Sequence, residues 1–293
     1  MLRRHFLWYF FLSIAGCTTI TDNRNFWLQN KKKLLFAVSD VQGLAELEQE
    51  YGQFITTLAD VLETKIEFFP VNNLVDATTA LQLDEVDLIH VGPSEYVIIR
   101  ARTNAIPIVA LTRLNYRAII AVRANSGIKS LADLKGKTIE LGEIGITGNH
   151  IAQIKMLIDA GLNPLSDVKI INSEDYQLKA LKNGEVDAWG RVLHRYKKTL
   201  GDEGLSQKDY PILIQGELLP SDVFLGSGKL EPMLVDEIRQ RMLANQDILL
   251  RAILSTPHFA SKFTGSTFTP VNDSDYDMIR EVYKAMGNEN FIK

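Results

Sequence analysis

The sequence predicts an α/β protein of two lobes, each a mostly parallel sheet flanked by helices. Three observations carry this: short apolar or β-branched runs alternate with amphipathic segments from Leu34 onward, the alternation restarts near Tyr116, and after Pro220 the pattern turns helical.

In the first unit, residues 34–39 read as a strand. Residues 44–62 carry Leu44, Leu47, Tyr51, Phe54, Ile55, Leu58 and Leu62 at helical spacing. A strand over 65–71, a helix over 74–83 and a strand over 86–91 follow, the last ended by Gly92-Pro93; a helix over 94–102 and a strand over 106–111 complete a βαβαβ succession. Such alternation feeds a parallel sheet, because each helix returns the chain to the same end.

In the second unit, 116–122 is a strand and 130–134 a short helix with Ser130 as N-cap and Gly136 as stop. Residues 138–141 form a strand, 149–160 an amphipathic helix ending at Gly161, 168–171 a strand, 175–182 a helix, and 186–188 and 211–215 strands. Helices are expected over 230–244, 246–254 and 275–286, with no clear strand after Pro220. No internal repeat stands out, so the lobes are expected to match in architecture only. Lobe one takes 34–112 and 223–293 and lobe two 113–222, with hinges near Thr112-Arg113 and between Pro220 and Asp222.

The N-terminus is a separate matter. Arg3, Arg4 and His5 precede an apolar run over 6–15, then Gly16 and the single cysteine, Cys17. A ten-residue run has the form of a signal peptide and is half the roughly twenty residues a membrane-spanning helix needs. The placement of Cys17 resembles the lipobox of bacterial lipoproteins, which implies removal of 1–16, acylation of Cys17 and an anchor on the extracytoplasmic side of a cell-envelope membrane. Thr18 follows the cysteine, where an aspartate would argue for inner-membrane retention. Residues 17–33, ending in Lys31-Lys32-Lys33, read as a polar tether, with Phe26-Trp27-Leu28 suited to a membrane surface.

The chain has 293 residues, 46% of them hydrophobic, and a formal charge of -4, which suits one large or two medium cores. One cysteine excludes an internal disulfide. Lysines and arginines are spread along the chain, so the clustered basic footprint of a nucleic-acid partner is missing.

Chemistry is expected beyond the carboxyl ends of the strands, where helix N-termini present backbone N–H groups to a crevice. Two such turns stand out: Gly92-Pro93-Ser94-Glu95-Tyr96 and 142–150, which contains Gly145, Thr147, Gly148, Asn149 and His150. Glycines let the backbone approach a ligand, Thr147 supplies a hydroxyl, and the following helix favours an anion. Tyr96 and Tyr116 are candidates to line the pocket. Enzyme readings fare worse: His90, His150 and His194 lack zinc-motif spacing, no nucleophile elbow or Walker loop is present, and Glu143, Glu174, Asp187 and Asp222 are scattered. No catalytic group, metal or cofactor is therefore expected.

Several stretches resemble one family. The run Ser126-Gly127-Ile128-Lys129-Ser130-Leu131-Ala132-Asp133-Leu134-Lys135-Gly136-Lys137 is similar to a segment of type II periplasmic substrate-binding proteins, especially the phosphate, phosphite and phosphonate (PhnD-like) branch. Val86-Asp87 with Gly92-Pro93-Ser94-Glu95-Tyr96, Gly145-Ile146-Thr147-Gly148, Asn183-Gly184-Glu185-Val186-Asp187-Ala188 and Leu219-Pro220-Ser221-Asp222 follow in that family's order, over roughly 34–283. The resemblance implies a monomeric two-lobed clamp that closes on a small oxyanion and delivers it to an ABC transporter permease. It also implies a ligand-binding set of Ser94, Tyr96, Thr147, Gly148, Asn149, His150, Asp187, His194 and Asp222. Departures qualify the solute. Related binders carry Ser-Thr-Ser-Gly where this chain has Gly145-Ile146-Thr147-Gly148, so two hydroxyls are gone. His194 stands where aminoalkylphosphonate binders place a glutamate against the ligand amine, with Arg191 nearby favouring a second anionic group, while the partner aspartate, Asp222, is kept. Glu174, beside Asp175, replaces a histidine. A sulfonate or carboxylate binder, or a sensory lipoprotein without a transport role, is the alternative expectation.

Overall fold

In the computed structural model the described residues are 32–39, 43–173 and 178–293. The signal peptide, Cys17, all but the end of the tether, Glu174 and Asp175 lie outside them. Two sheets form. The first contains β1 (Lys33–Val38), β2 (Lys65–Phe68), β3 (Leu88–Val91), β4 (Ile106–Leu111), β10 (Asp222–Gly226) and β11 (Phe268–Thr269), in the order β11-β4-β10-β3-β1-β2. The second contains β5 (Arg117–Val122), β6 (Thr138–Leu141), β7 (Lys169–Asn172), β8 (Ala188–Val192) and β9 (Ile212–Leu218), in the order β7-β6-β8-β5-β9.

The sheets share one plan. β1 pairs in parallel with β2 and β3, as β6 does with β7 and β8. β10 then runs antiparallel between β3 and β4, as β5 does between β8 and β9. Each inserted strand is the first to form after the chain crosses from the other sheet, through 112–116 and 219–221. Four strands of each sheet share one direction, β1 to β4 in the first and β6 to β9 in the second, so the mostly parallel sheets that the alternation predicts form with β10, β11 and β5 running against them.

The helices bury the stripes that the sequence shows. Helix α1 (Leu44–Leu62) buries Leu47, Tyr51, Phe54, Ile55, Leu58 and Leu62 against Phe36 of β1 and Phe224 of β10. Each such side chain contributes about 1.5–3 kcal/mol. Helices α2 (Leu74–Gln82) and α3 (Pro93–Arg102) complete the first unit, and α4 (Ala152–Asp159), α5 (Leu178–Asn183) and α6 (Leu193–Asp202) belong to the second. The C-terminal α7 (Pro232–Ala244), α8 (Gln246–Ile253) and α9 (Pro257–Phe263) return to the core of the first sheet. The last helix, α10 (Asp277–Ala285), packs on both α3 and α4 and so touches both lobes.

Some expectations are corrected. Residues after Pro220 do contain strands, and β10 is central to its sheet: all five residues of Asp222–Gly226 are buried, so the segment shows no alternation that would mark it as a strand. The strand expected at 186–188 is β8 at Ala188–Val192, and α6 follows it at once. Arg191 is therefore a strand residue. A repeat also exists after all. Ala80, Leu81, Glu85, Val86, Asp87 and Tyr96 recur one hundred positions later as Ala180, Leu181, Glu185, Val186, Asp187 and Tyr196. The geometry recurs with them. Asp84 and Gly184 both take the left-handed conformation, with φ of 57° and 78°, and Glu85 and Glu185 N–H groups return to the Ala80 and Ala180 carbonyls. Each aspartate then clamps the neighbouring strand: Asp87 Oδ2 accepts from Leu35 N at 2.9 Å, and Asp187 Oδ2 accepts from Thr138 N at 2.9 Å.

Candidate functional site

The site is built from two chain turns that meet across the sheets. Helix α3 begins at Gly92 immediately after β3, with Pro93 preset for the first helical turn. Glu95 folds back so that its Oε2 accepts from Gly92 N and from Ser39 Oγ, both at 2.8 Å. Ser94 N points away to the other lobe and donates to Thr147 Oγ1 at 3.0 Å, with both residues buried.

Thr147 opens a single π-helical turn, Thr147–Ile151, in which His150 N and Ile151 N both donate to Ile146 O, at 3.0 and 3.1 Å. Such turns widen the backbone spiral and recur at functional sites. Two glycines permit this one. Gly145 has φ of 93°, and a Cβ on Gly148 would lie 2.9 Å from the Tyr116 hydroxyl and nearer still to Val192. The Tyr116 hydroxyl instead packs directly against the Gly148 backbone. Asn149 Oδ1 accepts from Val192 N at 3.0 Å and so ties the turn to the end of β8. His150 is buried, which pushes its imidazole down to about 4, and its Nδ1 lies 3.5 Å from Gly145 N, so it is a neutral member of the turn at ordinary pH.

Beside this turn lies a charged group. Asp222 is fully buried and accepts from Arg113 Nη2 through both carboxylate oxygens, with Lys262 Nζ at 3.2 Å and His90 Nε2 at 4.0 Å. Burial alone would raise its carboxyl, but Arg113, Lys262 and His90 outweigh that and hold it at about 2. The Arg113 guanidinium also lies 4.4 Å from the Tyr116 ring centroid, which puts it one ring away from Gly148. His194 lies in the first turn of α6. Its imidazole is pushed down to about 4, first by desolvation and then by Arg195, Arg113, Arg191 and Lys262.

The expected residues divide. Ser94, Thr147, Gly148, Asn149 and His150 come together in the meeting turns, and His194 opens α6 just after the end of β8 that Asn149 holds. Tyr96 does not join them: it is buried beside Tyr276 and donates to Asp273 at 2.6 Å. Asp187 sits at the far end of β8, clamping Thr138, one strand length from the crevice. Asp222 is adjacent to the crevice, yet its carboxylate is engaged by Arg113 and Lys262, which leaves it unsuited to a ligand ammonium. His90 is buried in the first core, hydrogen-bonded to Tyr51 and stacked on Phe224 at 4.2 Å. Sequence reasoning missed Arg113 and Lys262 as site residues. Arg113 was legible as a hinge position, whereas Lys262 lies forty residues past Asp222 with no motif around it. No group of three or more metal-ligating side chains forms among the described residues.

Comparison with known proteins fits this geometry. The family model for the periplasmic substrate-binding protein of phosphonate ABC transporters matches residues 36–276. The phosphate-import protein PhnD of Mycolicibacterium smegmatis is 23% identical over 281 residues, covering 87% of this chain and 86% of that one. PhnD1 of Prochlorococcus marinus, solved with methylphosphonate, superposes with a TM-score of 0.64 at 18% identity, over 88% of this chain and 99% of the other. A binding-protein component of a phosphonate ABC transporter from Pseudomonas aeruginosa superposes with a TM-score of 0.61 at 13% identity, over 89% of each chain.

Proposed function

This chain belongs to the family of periplasmic substrate-binding proteins of phosphonate ABC transporters, and we propose that it captures a small tetrahedral oxyanion of the phosphonate, phosphite or phosphate class between the Gly92–Ser94 and Thr147–His150 turns. The observation that carries this is the Ser94 N to Thr147 Oγ1 contact, because it brings a helix opening from each sheet to one point. Backbone N–H groups there offer donors to a ligand oxygen and can offset the two missing hydroxyls. Arg113 and Lys262 add a positive field beside the turn. A ligand that contacts both turns favours the closed arrangement, since only contacts unique to that state can shift the population toward it.

In this reading lobe one is 34–112 with 223–293 and lobe two is 113–222, moving about the two crossings. The protein is monomeric, anchored through acylated Cys17, and hands its solute to a permease. Family membership supports the solute and permease roles; the Ala15-Gly16-Cys17 sequence supports the anchor.

Calorimetric titration of the purified protein with phosphate, phosphite, methylphosphonate and methanesulfonate tests the solute. One of the three phosphorus oxyanions should bind, and Thr147→Val should weaken it at least about tenfold, the loss of one charged hydrogen bond. Preference for methanesulfonate over all three would instead select the sulfonate reading. Cys17→Ser should move the protein from the membrane fraction to the soluble fraction and stop incorporation of labelled palmitate.

A further inference from the structure

One polar side chain behind the Thr147 turn is not explained by packing. Gln153, on α4, is fully buried, and its Nε2 donates to Gly148 O of the turn at 3.0 Å, to Arg191 O of β8 at 3.3 Å and to Ile119 O of β5 at 3.4 Å. All three partners are acceptors, so the amide nitrogen must face them. Its Oε1 is buried with no donor among the described residues. A carboxamide with an unpaired oxygen fills a core less well than methionine or leucine, so filling space does not account for a glutamine here.

Room for the amide comes from Gly190 of β8, where a Cβ would lie 2.7 Å from Gln153 Cγ and closer still to Leu141. The widened turn has carbonyls to place outside its own spiral. Asn149 O accepts from Gly142 N at 2.8 Å, and Gly148 O accepts from Gln153. Gln153 thereby ties the backbone of the turn to β5 and β8 together.

We propose that Gln153 is a positioning residue for solute binding: its carboxamide, anchored on β5 and β8, holds the Gly148 carbonyl and so fixes the pitch of Thr147–His150 at which the Thr147 hydroxyl meets Ser94 across the lobes. This rests on the oxyanion-binding function proposed above. Gln153 acts through the turn and does not touch the solute. A turn already rigid in its binding form loses less freedom when the ligand arrives.

The test is calorimetric titration of the full chain with methylphosphonate, phosphate and phosphite, in which stoichiometry reports the folded fraction and Kd reports the turn. Gln153→Met keeps the volume and removes the donor; it should weaken whichever oxyanion binds the wild type by at least about tenfold at unchanged stoichiometry. Gln153→Glu sets a carboxylate against three carbonyl oxygens, and burial there raises its pKa. On acidification from pH 8 to pH 5 the variant gains a proton to donate to Gly148 O, and its Kd relative to wild type at the same pH should recover by at least about tenfold. That ratio cancels the solute's own ionisation, while His150 and His194 stay largely neutral and Arg191 charged over the range. Gly190→Ala presses a methyl on Gln153 from the sheet side, should cause a similar loss, and serves if the α4 variants fold poorly. A side chain that only supports the fold would lower the stoichiometry and leave Kd alone. Wild-type Kd in folded Gln153→Met or Gly190→Ala, or no recovery of Gln153→Glu in acid, overturns the positioning role and leaves the oxyanion reading in place. Absence of wild-type binding to all three oxyanions overturns both.

Discussion

Arg113, in the first crossing between the sheets, is joined through both carboxylate oxygens to Asp222, the first residue after the second crossing. The pair therefore staples one crossing to the other. Its surroundings are fully buried on the Asp222 side, so neither charge is easily rehydrated when its partner is removed.

Removing one partner should be costly. Asp222→Asn and Arg113→Met are each expected to destabilise by about 3–5 kcal/mol, with the double variant less destabilised than the sum of the two, because an unpaired buried charge is the main penalty. Denaturant unfolding of the four proteins checks this, and strict additivity would contradict it.

Acid should act on the same pair. Asp222 has a folded pKa of about 2 against an unfolded value of 3.8, so its contribution is complete above about pH 4 and falls away as pH drops through 2. The shift corresponds to about 2 kcal/mol. Asp222→Asn should flatten the acid limb of a stability profile between pH 4 and 2.

His150 should give an earlier step. Its folded pKa of about 4 lies below the unfolded 6.5, so the unfolded state binds a proton first; stability is full above 6.5 and declines as pH falls toward 4. About 3 kcal/mol is at stake. The decline should lessen in His150→Gln, and because neither His150 nor His194 changes protonation between pH 6 and 8, any pH dependence of oxyanion affinity there should follow the ligand's own second ionisation.

The two clamping aspartates should behave alike. Asp87→Asn and Asp187→Asn each weaken a part-buried carboxylate hydrogen bond to a strand N–H and should cost about 1–3 kcal/mol. Solute affinity should be unchanged in both, as measured by titration. A large affinity loss in Asp187→Asn alone would return that residue to the binding site.

Gly148→Ala should lose binding and stability together. A methyl there meets Val192 and the Tyr116 hydroxyl, and overpacking of this kind costs about 1–3 kcal/mol. Chemical denaturation and titration of one sample report both effects.

Much of this was legible in the chain. The stripe from Leu47 to Leu62 marks α1, and the Thr138 to Leu141 strand and its glycine-bearing turn announce the Thr147 cradle, because period and turn chemistry are local properties. What was hidden is non-local. β10 is an apolar run buried on both faces, and its antiparallel place between β3 and β4 depends on a chain crossing that no local pattern records. Asp187 and Tyr96 look like ligand contacts by motif order, whereas their partners, Thr138 and Asp273, are visible only after folding. The hundred-residue repeat escaped notice because six identities are thinly spread over seventeen positions, although the shared strand clamp makes them structurally equivalent.

The order in which the strands appear along the chain sets a schedule for assembly. The second sheet is made from one uninterrupted stretch and is ready as soon as β9 has emerged. The first has β3 and β4 early, yet the strand that joins them comes only after that entire stretch. Asp222–Gly226 alone fills the place between β3 and β4, and the same strand brings Asp222 to Arg113. One strand thus both joins β3 to β4 and supplies the carboxylate on which Arg113 and, from farther along the chain, Lys262 converge.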